Sequence, residues 1–390
     1  MKARAWKFRI YPSKSQEKYL EQHLYNCKEL WNSLLEYTKN YHEKTGKFPT
    51  RQQLYLQTKG TRLFSQVAQN VADRLFKSIK GMLLKKKAGK IAGFPRFKPI
   101  ERMKSFTYPQ RGFKLDKQLK LSGIGGIPIK KHRKITGAIK ILTIKRMQSG
   151  KWFAIFTSEI EEEQVPKKDG LPVGIDLGIE HFAYMSDGTK VENPRHLKYS
   201  EERLGKAQQQ LSRKKKGSKN RRRARLRVAI AYEKLSNRRR DFLHKISRKL
   251  VEKYSFIAME GLNTKEMTRD FLAKSILDCG WAEFSSMIAY KAEEAGCEIV
   301  LVEPALTTQT CSNCGSVCKK SLAERRHECA CGASMHRDLN AAINILRRAT
   351  SGLGGSNASG EETSTHRKWA SVFNEWGSTR HSPHAPYVRA

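Results

Sequence analysis

The sequence predicts a multidomain α+β protein. A small β-barrel carries an inserted helical domain, and a mixed α/β sheet domain follows, with a cysteine-rich segment late in the chain. Three observations lead there. Helical periodicity fills residues 14–87, between one strand and a series of short β-like runs. After the linker Pro166-Lys167-Lys168-Asp169-Gly170, apolar strands alternate with helices. Two close cysteine pairs, Cys311/Cys314 and Cys329/Cys331, stand just before a final helix.

Residues 4–10, RAWKFRI, alternate apolar and basic as a strand does, and Pro12 ends it. Ser13 is placed to cap a helix whose Leu20, Leu24, Cys27, Leu30, Leu34 and Tyr37 recur at three- and four-residue steps. A second helix runs through Val67, Val71, Leu75 and Ile79. Gly93-Phe94-Pro95-Arg96-Phe97 breaks that pattern, and FTYP, FKLDKQLKL, IKILTIKRM and KWFAIFTSEI follow as strands. Residues 1–13 and 93–168 are therefore assigned to the barrel and 14–92 to the helical insert. LPVGIDLGIEHFAYMSDG (171–188) reads as a hairpin turning at Asp187-Gly188, and 200–253 as a long basic helical pair. FIAME (256–260) and EIVLVEP (298–304) read as buried strands joined by a helix bearing Trp281, Phe284, Met287, Ile288 and Ala292. Strand, helix, strand implies a mixed α/β sheet after the linker, and the cysteine pairs and a last helix follow it. From Ser351 to 390 the polar, Gly- and Ser-rich composition predicts a disordered tail.

The 390 residues include 76 Lys and Arg against 37 Asp and Glu, a net charge of +39. Such a charge points to a polyanionic partner, and nucleic acid fits best because each neutralised phosphate releases counterions. An anionic membrane is the rival. No long uncharged apolar run appears and MKARAWKFRIYPSK has no signal-peptide core, so a soluble intracellular chain with no membrane partner is expected. The eight cysteines suit that compartment as thiols or metal ligands. The densest basic stretch is LSRKKKGSKNRRRARLRVA (211–229), where Arg213, Lys214, Lys215, Lys216, Arg221, Arg222 and Arg223 are candidate phosphate contacts. A merely solvated face is the alternative.

Asp176 sits in the apolar run VGIDLGI, Glu260 ends FIAME and Asp338 opens the helix LNAAINIL. A lone buried Asp is costly unless paired, hydrogen-bonded or metal-bound. The RNase H-type arrangement places carboxylates on a first strand, a later parallel strand and a C-terminal helix. Such a trio holds two Mg²⁺ ions that clamp the attacking and leaving oxygens of a phosphodiester. Asp338 also suits a helix N-cap and Glu260 a strand end, while Asp187 and Glu303 are weaker candidates. The cysteine pairs suit one tetrahedral, structural Zn²⁺ on Cys311, Cys314, Cys329 and Cys331. The second pair is C-x-C, so Cys318, His327 or His336 is an alternative fourth ligand. Cys27, Cys279 and Cys297 lie on apolar faces and read as core.

In order along the chain stand KFRIYPSKSQEKYL, GFPRFK, GIDLGI, LSRKKKGS, DFLHKIS, AMEGLN, CSNCG and HRDLNAAINIL. Together they span nearly all of residues 1–348, and the chain resembles TnpB, the RNA-guided nuclease of bacterial and archaeal insertion sequences, similar to type V CRISPR effectors. The resemblance implies a RuvC nuclease domain (169–304 and 336–350) with Asp176, Glu260 and Asp338 holding Mg²⁺, and a zinc-ribbon insertion (305–335) that binds target nucleic acid. It implies a wedge barrel (1–13 and 93–168), a helical recognition insert (14–92), a guide RNA from the transposon end and a double-stranded DNA target. Base pairing would read the target, and the protein a short adjacent motif. For that motif, Gln69 in LFSQVAQN and Thr107 and Tyr108 in SFTYP are the candidates. A monomer in a bacterial or archaeal cytoplasm, at the nucleoid, is expected. The alternatives are a guided binding protein without useful cleavage and a strand-transfer transposase.

Overall fold

The computed structural model describes residues 2–161, 165–267, 272–321 and 324–351. The predicted tail lies, apart from Ser351, outside the described residues. The chain divides into two compact units: Met1–Glu163 with Lys214–Ile230, and Gln164–Arg213 with Ala231–Ala390.

The first unit contains β1 (Lys2–Ile10), α1 (Lys14–Thr45), α2 (Arg51–Leu56), α3 (Ser65–Lys87), β2 (Ser105–Tyr108), β3 (Phe113–Leu115), β4 (Gln118–Leu121), β5 (Gly125–Lys130), β6 (Ala138–Arg146) and β7 (Trp152–Ile160). The strands form a seven-stranded, nearly closed sheet in the order β2-β6-β7-β1-β5-β4-β3. Every ladder in it is antiparallel. Alternation along β1 sends Trp6, Phe8 and Ile10 into one core with Trp152, Ala154 and Phe156 of β7, Leu20, Leu24 and Leu34 of α1, and Val67 and Leu75 of α3. Ser13 caps α1 through a capping box, accepting from the Gln16 N–H (3.2 Å) while Gln16 Oε1 accepts from its own N–H (3.0 Å). Two elements escape the sequence reading. Helix α2 is only six residues long. Strand β5, GGIPIK, carries the Gly and Pro that argue against a strand. It is nevertheless paired on both sides, with Pro128 opposite Gln118 and its carbonyl accepting from the Tyr11 N–H (2.9 Å).

The second unit contains β8 (Pro172–Asp176), β9 (His181–Met185), β10 (Lys190–Glu192), α4 (His196–Ser212) and α5 (Lys219–Lys253), the last with its first residues in the other unit. It continues with β11 (Phe256–Glu260), α6 (Thr264–Met267), α7 (Ala273–Cys279), α8 (Trp281–Ala295), β12 (Glu298–Val302), β13 (Arg326–Glu328), β14 (Ser334–His336) and α9 (Arg337–Ser351). A five-stranded sheet runs β10-β9-β8-β11-β12. Strands β8, β11 and β12 are parallel and the β10-β9-β8 meander antiparallel, the RNase H-like order. One face of α8 buries Trp281, Phe284, Met287, Ile288 and Ala292 in the core shared with Val173, Ile175, Phe182 and Met259. Strand β12 corrects one expectation: it is half-buried rather than buried along most of its length, because it is the sheet's edge strand and pairs only with β11. No described helix is long and apolar enough to cross a membrane.

Candidate active site and metal centre

Strand alternation explains how the three acids meet. A side chain's face repeats every second residue, so Gly174 and Asp176 share one face of β8, and Ala258 and Glu260 share one face of β11. Ala258 packs against Ile345 and Ala349 of α9. Gly174 lies beneath the same helix: a Cβ built on it would stand 2.1 Å from the Ala342 carbonyl oxygen. Ile175 pairs with Met259, which sets Asp176 and Glu260 side by side at the C-terminal ends of two parallel strands. Asp338 lies one turn before Ala342 on the buried face of α9. All three acids are buried, at 8%, 9% and 6% exposure for Asp176, Glu260 and Asp338.

Their electrostatics are those of an anionic cluster in low dielectric. Burial pushes the Asp176 carboxyl well above the ordinary carboxylate range; the charges of Glu260 and Asp338 push it further, and Arg337 opposes them. Burial also raises Glu260, while a hydrogen bond from Thr307 and the charge of Arg348 pull the other way. The Thr307 hydroxyl donates to Glu260 Oε1 at 2.5 Å. Buried, hard oxygen donors whose charges repel at Asp176 fit Mg²⁺.

Asp338 is not the cap of α9. The helix begins at Arg337, and the Asp338 N–H donates to His336 Nδ1 at 3.2 Å. Its carboxylate stands 3.6 Å from Arg337 Nε and 3.9 Å from His336 Nδ1. His336 is therefore not drawn into the cysteine cluster. Its ring stacks on Tyr184 (5.1 Å, 12°) and groups with His181 and Asp338. Asp187, the weaker candidate, accepts hydrogen bonds from Lys253 Nζ (2.8 Å) and the Tyr254 hydroxyl (2.6 Å), a structural tie to the end of α5.

Cys311, Cys314, Cys329 and Cys331 converge, with Sγ–Sγ separations of 3.7 Å for Cys311–Cys331 and 3.5 Å for Cys314–Cys329. Zinc–thiolate bonds of about 2.3 Å in a tetrahedron give an edge of about 3.8 Å, so the four sulfurs fit Zn²⁺. Gly315 (φ 81°) and Gly332 (φ 85°) supply the left-handed knuckle turns, each N–H donating to the carbonyl of a cysteine three or four residues earlier. Hydrogen bonds from the Ser316 hydroxyl and N–H draw the Cys314 thiol down to about 6, favouring the thiolate that binds metal. Cys318 and the wholly buried His327 form a second group that shares Cys329. Cys27, Cys279 and Cys297 are buried, as expected of core residues.

The nucleic-acid candidates divide. Arg213, Lys214, Lys215 and Lys216 are exposed on the turn before α5, and Arg222 and Arg223 on its first turns. Arg221 is half-buried, its guanidinium donating to the Lys214 carbonyl at 2.7 Å. Gln69 is exposed on α3 and lines a cavity of about 320 Å³ with Tyr55, Lys59, Thr61 and Ser65. Thr107 is half-buried, its hydroxyl 2.9 Å from that of Thr143 on β6. Tyr108 is a correction: it is fully buried, ringed by Phe64, Phe106 and Phe113, because its place on β2 faces the core, and it presents no edge to a base.

The sequence reading missed Thr307, Asn340 and Asn344, three buried polar residues around α9. The four-residue spacing of Asn340 and Asn344 on the apolar stripe of LNAAINIL was the available signal.

Three family models match the chain: the OrfB_IS605 model, a probable transposase, over residues 155–270; the Cas12f1-like TNB domain over 281–345; and the OrfB_IS605 helix-turn-helix domain over 1–47. A candidate RNA-guided DNA endonuclease of Streptomyces pristinaespiralis is 38% identical over 208 residues, 53% of this chain and 52% of that protein. The chain thus matches about half the length of that relative. InsQ of Escherichia coli, named in the same way, is 29% identical over 368 residues, 88% of this chain and 91% of its own. Among solved structures, Cas12f1 in a complex with single-guide RNA and target DNA shares the fold, with a TM-score of 0.56 and 14% identity over 88% of this chain and 98% of that one. Residue motifs, strand order and these matches agree in likening the chain to the TnpB family.

Proposed function

We propose that the protein is an RNA-guided, Mg²⁺-dependent endonuclease that cleaves double-stranded DNA beside a short transposon-associated motif, with its guide RNA derived from the transposon end. The observation that carries this is that Asp176, Glu260 and Asp338, on β8, β11 and α9, are all buried and that Asp176 feels the charges of the other two. The names borne by the Streptomyces and Escherichia coli relatives support the reaction class, and the charge of +39 supports nucleic-acid partners.

In this reading the three acids hold two Mg²⁺ ions, which supply charge neutralisation at the attacking and leaving oxygens. The chain contributes a dry, rigid seat: two strand ends and one helix, each fixed by core packing. The four cysteines hold one structural Zn²⁺ in a ribbon inserted before α9. The nearly closed sheet acts as the wedge and α1–α3 as the recognition insert, with Gln69 and Thr107 near the motif. Arg213, Lys214, Lys215, Lys216, Arg222 and Arg223 contact phosphates. The protein works as a cytoplasmic monomer on its guide and target.

The test is Asp176→Ala in the guide-loaded protein. Cutting of a matched target should disappear while the guide RNA stays bound. Undiminished cutting would remove the three acids from the reaction; a wild-type protein that binds its matched target and never cuts it would leave a guided binding protein instead.

A further inference from the structure

We infer that Thr307 is a positioning residue for Glu260, and that through Thr307 the cysteine knot sets the affinity of the carboxylate cluster for its divalent cation. This rests on reading the three acids as a cation site. A continuous run of buried polar contacts joins the two places. Ser312, next to Cys311, donates its N–H to Asn340 Oδ1 at 2.8 Å. Asn340 Nδ2 donates to the Thr310 carbonyl at 2.8 Å, and Asn344 Nδ2 donates to the same carbonyl at 2.6 Å. Asn344 Nδ2 also reaches the Thr307 carbonyl at 2.9 Å, and the Thr307 hydroxyl ends the run on Glu260 Oε1 at 2.5 Å. Thr307, Ser312, Asn340, Asn344 and Glu260 are all 9% exposed or less.

The placement has a physical logic. Asn340 and Asn344 sit on α9, the helix that carries Asp338, so the loop from 304 to 312 is laced to that helix by side-chain amides. Of that loop, only Cys311 counts among the buried hydrophobic residues. Hydrogen bonds and the knot, rather than apolar packing, therefore hold the loop in register. A carboxylate with one oxygen fixed by a hydroxyl has one rotamer and the other oxygen left to ligate. Removing such a support typically weakens metal binding by about 10–100-fold. When metal holds Cys311, the loop is anchored at both ends and Thr307 stays on Glu260. When the knot is emptied, that anchor is lost.

The experiment measures Mn²⁺ binding calorimetrically on the full-length chain, with zinc content determined for every sample. Thr307→Val keeps the shape and removes the hydroxyl; Thr307→Ser keeps the hydroxyl. Thr307→Val should weaken Mn²⁺ binding about tenfold with zinc content and melting temperature unchanged, and Thr307→Ser should restore it. Stripping zinc should weaken Mn²⁺ binding by wild type and leave Thr307→Val with little more to lose. Wild-type Mn²⁺ affinity in Thr307→Val would overturn the positioning role. Equal losses on zinc removal in both proteins would overturn the coupling through Thr307. Asp176→Ala is the control for the acids themselves: if it binds Mn²⁺ like wild type, the cation-site reading fails, and this inference with it.

Discussion

Gly174→Ala tests how the acids are held together. A Cβ at Gly174 would stand 2.1 Å from the Ala342 carbonyl oxygen, 2.8 Å from the Leu346 nitrogen and 2.9 Å from the Leu346 Cβ. Two of these three are backbone atoms, so no side chain can swing aside. The helix α9 must withdraw from β8 by roughly 1 Å, since overpacking in a tight interior is relieved only by movement. That withdrawal costs about 1–3 kcal/mol in a packed core. For a unit of this size it lowers the melting temperature by about 2–4 °C per kcal/mol. Asp338 rides on α9 one turn before Ala342, and a misplacement of about 1 Å in reacting groups costs on the order of a hundredfold in rate. Single-turnover cleavage by guide-loaded Gly174→Ala should therefore fall about a hundredfold, with guide RNA still bound. Gly205→Ala, in α4 with nothing within 4 Å of its Cβ, is the control and should be neutral or slightly stabilising. Cleavage by Gly174→Ala within about twofold of wild type would refute the idea that the seat of α9 on β8 places Asp338.

Tyr108→Phe should raise stability by about 1 kcal/mol in urea unfolding, because the buried Tyr108 hydroxyl has no hydrogen-bond partner among the described residues. It should leave motif preference untouched, and a changed preference in a randomised-flank cleavage assay would contradict the enclosed ring. Lys291, 4% exposed, donates to the His244 carbonyl and the Ser247 hydroxyl at 2.7 Å each, and burial, with repulsion from Arg248, lowers it to about 8. Between that value and the ordinary lysine value of 10.5 the unfolded chain binds more protons than the folded one, so stability due to Lys291 rises with pH through that window. Relative to Lys291→Met, wild type should gain up to about 3 kcal/mol from pH 8 to above pH 10. A pH-independent difference in denaturant midpoints would show that the amine is solvated.

Much of this was legible in residues, for identifiable reasons. Asp176 announces itself because all six of its neighbours in VGIDLGI are apolar or glycine, and burial of a charge needs a cause. The periodicities of α1, α3 and α8 each mark one buried stripe, and one stripe is what each helix shows. Failures came where long-range pairing overrides local composition. Strand β5 is held by ladders to β1 and β4, more than a hundred residues from one partner, and GGIPIK contains no hint of either. Tyr108 stood as a motif-reading candidate in SFTYP; the register of β2 against β6, with Tyr108 opposite Leu142, turns it inward. His336 offered zinc chemistry by proximity to the cysteines, and its real neighbours, Tyr184 and His181, come from β9 far earlier in the chain. Thr307 had no local signature at all, since its partner Glu260 ends a strand 47 residues before it.

The two proposed metal positions have different relations to the fold. The carboxylates are mounted on strands and a helix that bury Val173, Ile175, Ile257, Met259, Ala342 and Ile345 regardless of any cation. Their repulsion is thus a local destabilisation carried by a core that would fold without them, and a site strained in this way gains most when divalent charge arrives. The cysteine insertion is the reverse. Between Pro304 and Arg337 only Cys311 joins the buried hydrophobic residues described, while β13 and β14 pair over just three residues each. A two-stranded hairpin of that length is marginal in water, and in the proposed zinc reading thiolate–metal bonds supply what apolar burial does not. The insertion nevertheless sits directly before α9 in sequence, and Asn340 and Asn344 hydrogen-bond residues 307–312 to that helix. In the proposed reading the knot clamps both the loop whose Thr307 holds Glu260 and the helix that carries Asp338.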